Sequence, residues 1–168
     1  VALAEIVQRA QPRRTLIIAH RRELITQAKD KIHRFTGLNA QVEMAGDRAS
    51  LDLFEKCHAV VSSVQSQTPG RRGKPTDFDI LVIDECHHFT AKNKSYVDVV
   101  NHYKQNPNLK ILGLTATLTP QSRAMFDSVA FTYPLLSAIE DGYLVNVDAQ
   151  MIRIEGLDFS HVRTSKGD

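Results

Sequence analysis

The sequence predicts an α/β fold, a parallel sheet with helices on both faces. Two observations carry this. Short apolar runs, TLIIA at 15–19, HAVVS at 58–62 and ILVI at 80–83, show no alternation and read as strands buried on both sides. Between them lie segments of helical period, such as 21–35, where Leu24, Ile25, Ala28, Ile32 and Phe35 form one stripe opposite charged residues. Strands separated by helices imply crossover connections, and crossovers make a parallel sheet. A third observation locates the chemistry. Polar residues follow the strands in pairs: His20 and Arg21, Ser62 and Ser63, Asp84 and Glu85, Thr115 and Thr117. In an open parallel sheet such ends share one rim, where sites form.

The elements follow in order. Residues 1–10 are helical and are ended by Pro12; with no Met or cap before them, the chain is expected to begin inside a helix. Residues 15–19 are a strand and 21–35 a helix, stopped by Gly37. A short strand at 40–44, a short helix at 51–55 and the strand at 58–62 come next. Pro69, Gly70, Gly73 and Pro75 mark 68–76 as a loop. After the strand at 80–83, a helix at 95–105 is closed by Asn106, Pro107 and Asn108. Residues 110–114 are a strand, 120–127 a helix opened by Pro120, and 134–140 a short helix ending at Gly142. Residues 145–154 alternate loosely and read as a strand; the tail from Asp158 is polar.

With 168 residues, 42% hydrophobic and 24% charged, the chain can bury one core and is not of disordered composition. A net charge of +2 excludes any argument from overall charge. The distribution says more: residues 13–34 hold seven Lys or Arg against Glu23 and Asp30, and Arg71, Arg72 and Lys74 form a second knot. Such patches suit phosphate backbones, but for any single patch a solvated helix face is the favoured reading. Cys57 and Cys86 make no disulfide framework, so a reducing, cytoplasmic setting is expected. No apolar stretch approaches the roughly 18 residues of a membrane helix.

The stretch ILVIDECHHF at 80–89 runs a hydrophobic strand into two carboxylates, a thiol and two imidazoles. An Asp at such a strand end can hold Mg²⁺ in a phosphate-transferring enzyme, and a neighbouring Glu can polarise the attacking water. Phosphoryl transfer asks little covalent chemistry of a protein, so placed charge is most of the mechanism. The plain alternative is an acidic turn. A zinc site built from Cys86, His87 and His88 with Cys57 and His58 is disfavoured, because neighbouring residues point apart and the spacings fit no zinc pattern. Thr115, Ala116 and Thr117 offer two hydroxyls about a small residue, suited to bridging loops.

Taken in order, AHRREL at 19–24, SSVQS at 62–66, DECH at 84–87 and TAT at 115–117 resemble motifs Ia, Ic, II and III of superfamily 2 helicases. The group is the DEAH-like and type III restriction-enzyme helicases, and LLSAIEDGYLV at 135–145 and TSKGD at 164–168 resemble the end of its first motor domain.

The resemblance implies a RecA-like P-loop NTPase domain, incomplete at its N-terminus, over residues 1–157, with 158–168 starting a linker toward a second motor domain. It implies that Asp84 coordinates Mg²⁺ of Mg-ATP through water and that Glu85 orients the hydrolytic water. It implies that His87 couples nucleotide state to nucleic-acid grip, with Thr115, Ala116 and Thr117 carrying that coupling. His20, Arg21, Arg22, Ser63 and Gln65 would touch the backbone of DNA, RNA not being excluded. Cys86 stands where Ala is more usual in motif II; it is small and apolar enough to fit. No Gly-Lys-Thr or Gly-Lys-Ser phosphate loop occurs, the nearest run being GRRGKP at 70–75. The expectation is a chain starting just past that loop, with the family's central strand missing, and so inactive and unstable as an isolated monomer. The parent protein is expected to be an ATP-dependent DNA helicase or translocase; the alternatives are a restriction-system motor and a non-enzymatic nucleic-acid-binding module.

Overall fold

The computed structural model describes residues 2–20, 22–44, 46, 47, 49 and 57–146. The short helix expected at 51–55, Arg21, and all but the first two residues of the strand expected at 145–154 lie outside them. So do residues 158–168, expected as a linker.

Five strands form one sheet: β1 (Thr15–Ala19), β2 (Ala40–Glu43), β3 (Ala59–Ser63), β4 (Ile80–Asp84) and β5 (Lys110–Leu114). Their order is β2-β3-β1-β4-β5, and every pairing is parallel. The expected architecture is therefore observed. β1 lies central, and all five of its residues are buried. Its alternate side chains feed two cores. Ile17 and Ala19 join Val61 and Val82 against α1 (Ala2–Ala10) and α2 (Arg22–Thr36). Leu16 and Ile18 join Val60, Leu81 and Ile83 against α3 (Lys94–Tyr103), through Tyr96, Val99, Val100 and Tyr103. Each fully buried Leu or Ile contributes about 1.5–3 kcal/mol, so the apolar strands need no alternation to be stable.

Gly37 ends α2 with φ of 69° while its amide bonds the His33 carbonyl at 2.8 Å, a left-handed stop that suits glycine. The helix expected at 120–127 is shorter. α4 spans Pro120–Arg123, started by reciprocal bonds between Thr119 and Ser122. The chain then turns to bring Phe126 against Phe89, ring centroids 5.7 Å apart. Gly113 makes room for this. A Cβ there would lie 2.5 Å from Phe126 Cζ and 2.8 Å from Cys86 Sγ, closer than real side chains pack.

β5 is an edge strand among the described residues, and Leu112 on it is 38% exposed. The fold divides into residues 1–129 and 130–168. In the second unit α5 (Leu135–Glu140) is followed by Gly142 at φ 77°. Phe131 and Tyr133 stack at 6.2 Å in that unit, and Tyr133 donates to Asp141.

The basic knot at 71–74 is corrected. Arg71 and Arg72 are neither a phosphate patch nor a solvated face. Arg71 Nε donates to the buried Glu43 carboxylate at 2.7 Å, and its Nη2 donates to the Met44 and Asp47 carbonyls at 2.9 and 2.8 Å. Arg72 donates to the Gln67 carbonyl and ion-pairs with Asp98 on α3. Lys74 alone stays exposed.

Candidate functional site

Because all strands run parallel, their C-terminal ends form one rim. Register places Ala19 beside Ser63 and Asp84 beside Leu114, so the rim reads Ser63, His20, Asp84–Glu85, Thr115 along the sheet. Four of the strand ends singled out from sequence thus lie in a row. Ser62 is the exception. It is fully buried, donates to the Glu43 carbonyl at 2.9 Å, and accepts from Gln67 at 2.9 Å. It belongs to the core, one pleat below the rim.

Asp84 closes β4 and is half-buried. Burial raises its carboxyl above the usual carboxylate range; the Glu85 amide, donating at 3.1 Å, opposes this, and the Glu85 charge adds to it. Its ionised form is therefore disfavoured in the fold, so stability falls as pH rises and Asp84 ionises. Among the described residues no Lys or Arg pairs with Asp84 or Glu85. Two adjacent carboxylates, one of them partly desolvated and neither paired with Lys or Arg among the described residues, are a donor set that suits a divalent cation.

Glu85 has φ of 50° and ψ of 49°, the one non-glycine residue with positive φ among those described. Left-handed backbone costs a β-carbon residue on the order of 1–2 kcal/mol, and such strain is kept where the surroundings demand it. It snaps the chain out of β4 into a 3-10 turn, Cys86–His88, closed by the His88 amide to the Glu85 carbonyl at 3.0 Å. The turn swings His87 toward β5. His87 Nδ1 lies 3.0 Å from Thr115 Oγ1 and 3.3 Å from Glu85 Oε2. Thr115 Oγ1 in turn accepts from the Thr117 amide at 3.0 Å. Glu85, His87, Thr115 and Thr117 are thereby one connected set, while Ala116 and Thr117 remain exposed.

Cys86 packs inward beside Gly113, and burial raises its thiol above the ordinary range, which keeps it protonated. Among the described residues no three His, Cys, Asp or Glu converge as a metal cage.

On the other half of the rim, His20 and Arg22 are exposed. Ser63 is half-buried, and its hydroxyl caps the 3-10 turn Val64–Ser66, accepting from the Ser66 amide at 3.2 Å. Gln65 points outward on that turn. Sequence reasoning missed Gln67. It is buried, and its side chain bonds Ser62 and the Tyr103 hydroxyl at 2.9 and 2.8 Å, fixing the turn against α3. Nothing in its local sequence marks it, since its partners come from β3 and α3.

A family model described as "Type III restriction enzyme, res subunit" matches residues 1–120. The chain belongs to this family. Two curated relatives align along most of it. The Saccharomyces cerevisiae protein IRC3, assigned as an ATP-dependent helicase, is 28% identical over 164 residues, 92% of this chain and 23% of IRC3. The Escherichia coli type I restriction enzyme EcoAI endonuclease subunit is 27% identical over 165 residues, 92% of this chain and 20% of that subunit. The chain thus spans about a fifth of the length of the curated relatives it matches. Two solved structures share its fold: the Pyrococcus furiosus Hef helicase domain, TM-score 0.51 and 18% identity over 83% of this chain and 29% of that one, and Saccharomyces cerevisiae Dbp5 L327V bound to RNA and ADP BeF3, TM-score 0.52 and 14% identity over 70% of this chain and 32% of that one. The fold is the RecA-like domain of superfamily 2 helicases. Among the described residues no helix is long and apolar enough to cross a membrane.

Proposed function

We propose that the protein carrying this ResIII domain hydrolyses ATP to drive movement along DNA or separation of its strands. The observation that carries this is the turn after β4: a strained left-handed Glu85 beside Asp84, with His87 set between Glu85 and Thr115. Asp84, which has no Lys or Arg partner among the described residues, would hold Mg²⁺ of the bound nucleotide, and that ion would supply charge neutralisation at the phosphates. Glu85, aimed off the strand by its backbone, orients the attacking water and polarises its proton. His87 and Thr115 report the position of Glu85 to the loop holding Ala116 and Thr117. His20, Arg21, Arg22, Ser63 and Gln65 touch the nucleic-acid backbone, His20 and Ser63 from the β1–β3 half of the rim, Ser63 through the turn that it caps. Residues 158–168 lead toward a second motor domain of the same chain, and the setting is cytoplasmic.

The similarity to the EcoAI subunit favours a second reading, a motor that feeds DNA to a nuclease. DNA cleavage dependent on ATP by the full-length protein would select it.

Replacing Arg21 and Arg22 with Ala in the full-length protein weakens binding to single-stranded DNA evenly across sequences. It also flattens the salt dependence by about 0.7 in slope for each phosphate no longer neutralised. Affinity measured over a salt series checks this. An unchanged slope would leave both arginines as solvated helix residues and remove them from the track.

A further inference from the structure

We propose that His88, a residue outside the motifs, is a positioning residue that links the nucleic-acid half of the rim to the ATP half by stacking on His20; this rests on the function proposed above. The His20 and His88 rings stack with centroids 4.6 Å apart and planes 28° apart. The His88 and His87 rings lie 4.1 Å apart at 44°. His87 then reaches Thr115 and Glu85 through Nδ1, at 3.0 and 3.3 Å. A stacked ring pair, a tilted ring contact and one hydrogen bond therefore connect the ends of β1, β4 and β5.

The backbone of His88 is held firmly. Its amide bonds the Glu85 carbonyl at 3.0 Å and its carbonyl accepts from Asn93 Nδ2 at 3.1 Å. His87 and His88 share one 3-10 turn, hinged on the left-handed Glu85. A rearrangement at Glu85 that rotates this turn moves both rings together. One ring acts on Thr115 and the other on His20, an exposed residue two positions before Arg22, the first residue of α2. The turn is thus a single rigid element touching both halves of the site, the physical condition for coupling between them.

The arrangement also refines the role of His20. One face of its ring is covered by His88, so only its edge and other face are open to nucleic acid.

The test uses the full-length protein with His88→Leu, similar in bulk but without a flat ring, and His88→Phe, which keeps the ring. ATP turnover is measured with and without single-stranded oligothymidylate and oligouridylate, and thermal melting verifies that each variant folds. His88→Gln replaces His88→Leu if the latter does not fold. For His88→Leu the expected result is unchanged turnover without nucleic acid and a stimulation factor lowered roughly three- to tenfold, the scale of a missing ring stack. His88→Phe restores most of that factor. Full stimulation in His88→Leu, or an equal fall in basal and stimulated turnover, would overturn the proposal while leaving the ATPase reading intact. Absence of stimulation in the wild-type protein by either strand type would overturn both.

Discussion

Glu85→Gln in the full-length protein leaves ATP affinity close to wild type and lowers turnover on the order of a hundredfold or more, the loss expected when a group acting on the attacking water is removed. Each tenfold is about 1.4 kcal/mol of barrier, so the substitution is asked to remove about 2.7 kcal/mol of transition-state stabilisation. Gln suits the test because it matches Glu in shape and meets the same left-handed strain at φ 50°. It can still contact His87, so the turn and its neighbours persist while the charge is lost. Nucleotide titration and steady-state turnover on the same preparations check both halves of the expectation. Near-normal turnover would take Glu85 out of the reaction.

Arg71→Ala is expected to cost about 3–5 kcal/mol of stability, the range for removing one partner of a buried ion pair. Glu43 is 4% exposed, and its carboxylate receives Arg71 on one oxygen and the Ala49 amide, at 2.8 Å, on the other. Without Arg71 the charge stays buried with its cation gone, and the Met44 and Asp47 carbonyls lose their donor as well. Lys74→Ala, on the exposed neighbour, is expected to change stability by less than about 0.5 kcal/mol. Denaturant unfolding of the two variants compares them directly. Equal, small effects would mean that Arg71 is a surface residue in solution, and the phosphate reading of the knot would regain its footing.

The pattern of failures in reading the sequence is local against distant. The strands were legible because a buried parallel strand must be apolar on both faces, as TLIIA and ILVI are. Gly37 was legible because a helix stop needs left-handed backbone. α4 was overextended because the pull that ends it comes from Gly113 and Phe89, far along the chain from Phe126. The misread arginines fit the same rule, since the partners of Arg71 sit on and just after β2 and that of Arg72 on α3. Ser62 looked like a rim residue because its polarity was weighed above its place in the pleat. At the site, the residue types were visible and the geometry was not. Nothing in DECHH announces that Glu85 is left-handed, since Gly or Asn is the usual occupant of that conformation. The stack of His88 on His20 joins two strand ends that only the sheet order makes neighbours.

The central claim is that Asp84 and its neighbours form the ATP-hydrolysing centre of a nucleic-acid motor. The most direct measurement is ATP turnover by the full-length protein, with and without single-stranded DNA, for wild type and Asp84→Ala. The expected result is hydrolysis that DNA stimulates in the wild type and that falls to background in Asp84→Ala, while the variant still melts cooperatively. Turnover in Asp84→Ala equal to wild type would place the phosphate chemistry elsewhere and contradict the assignment.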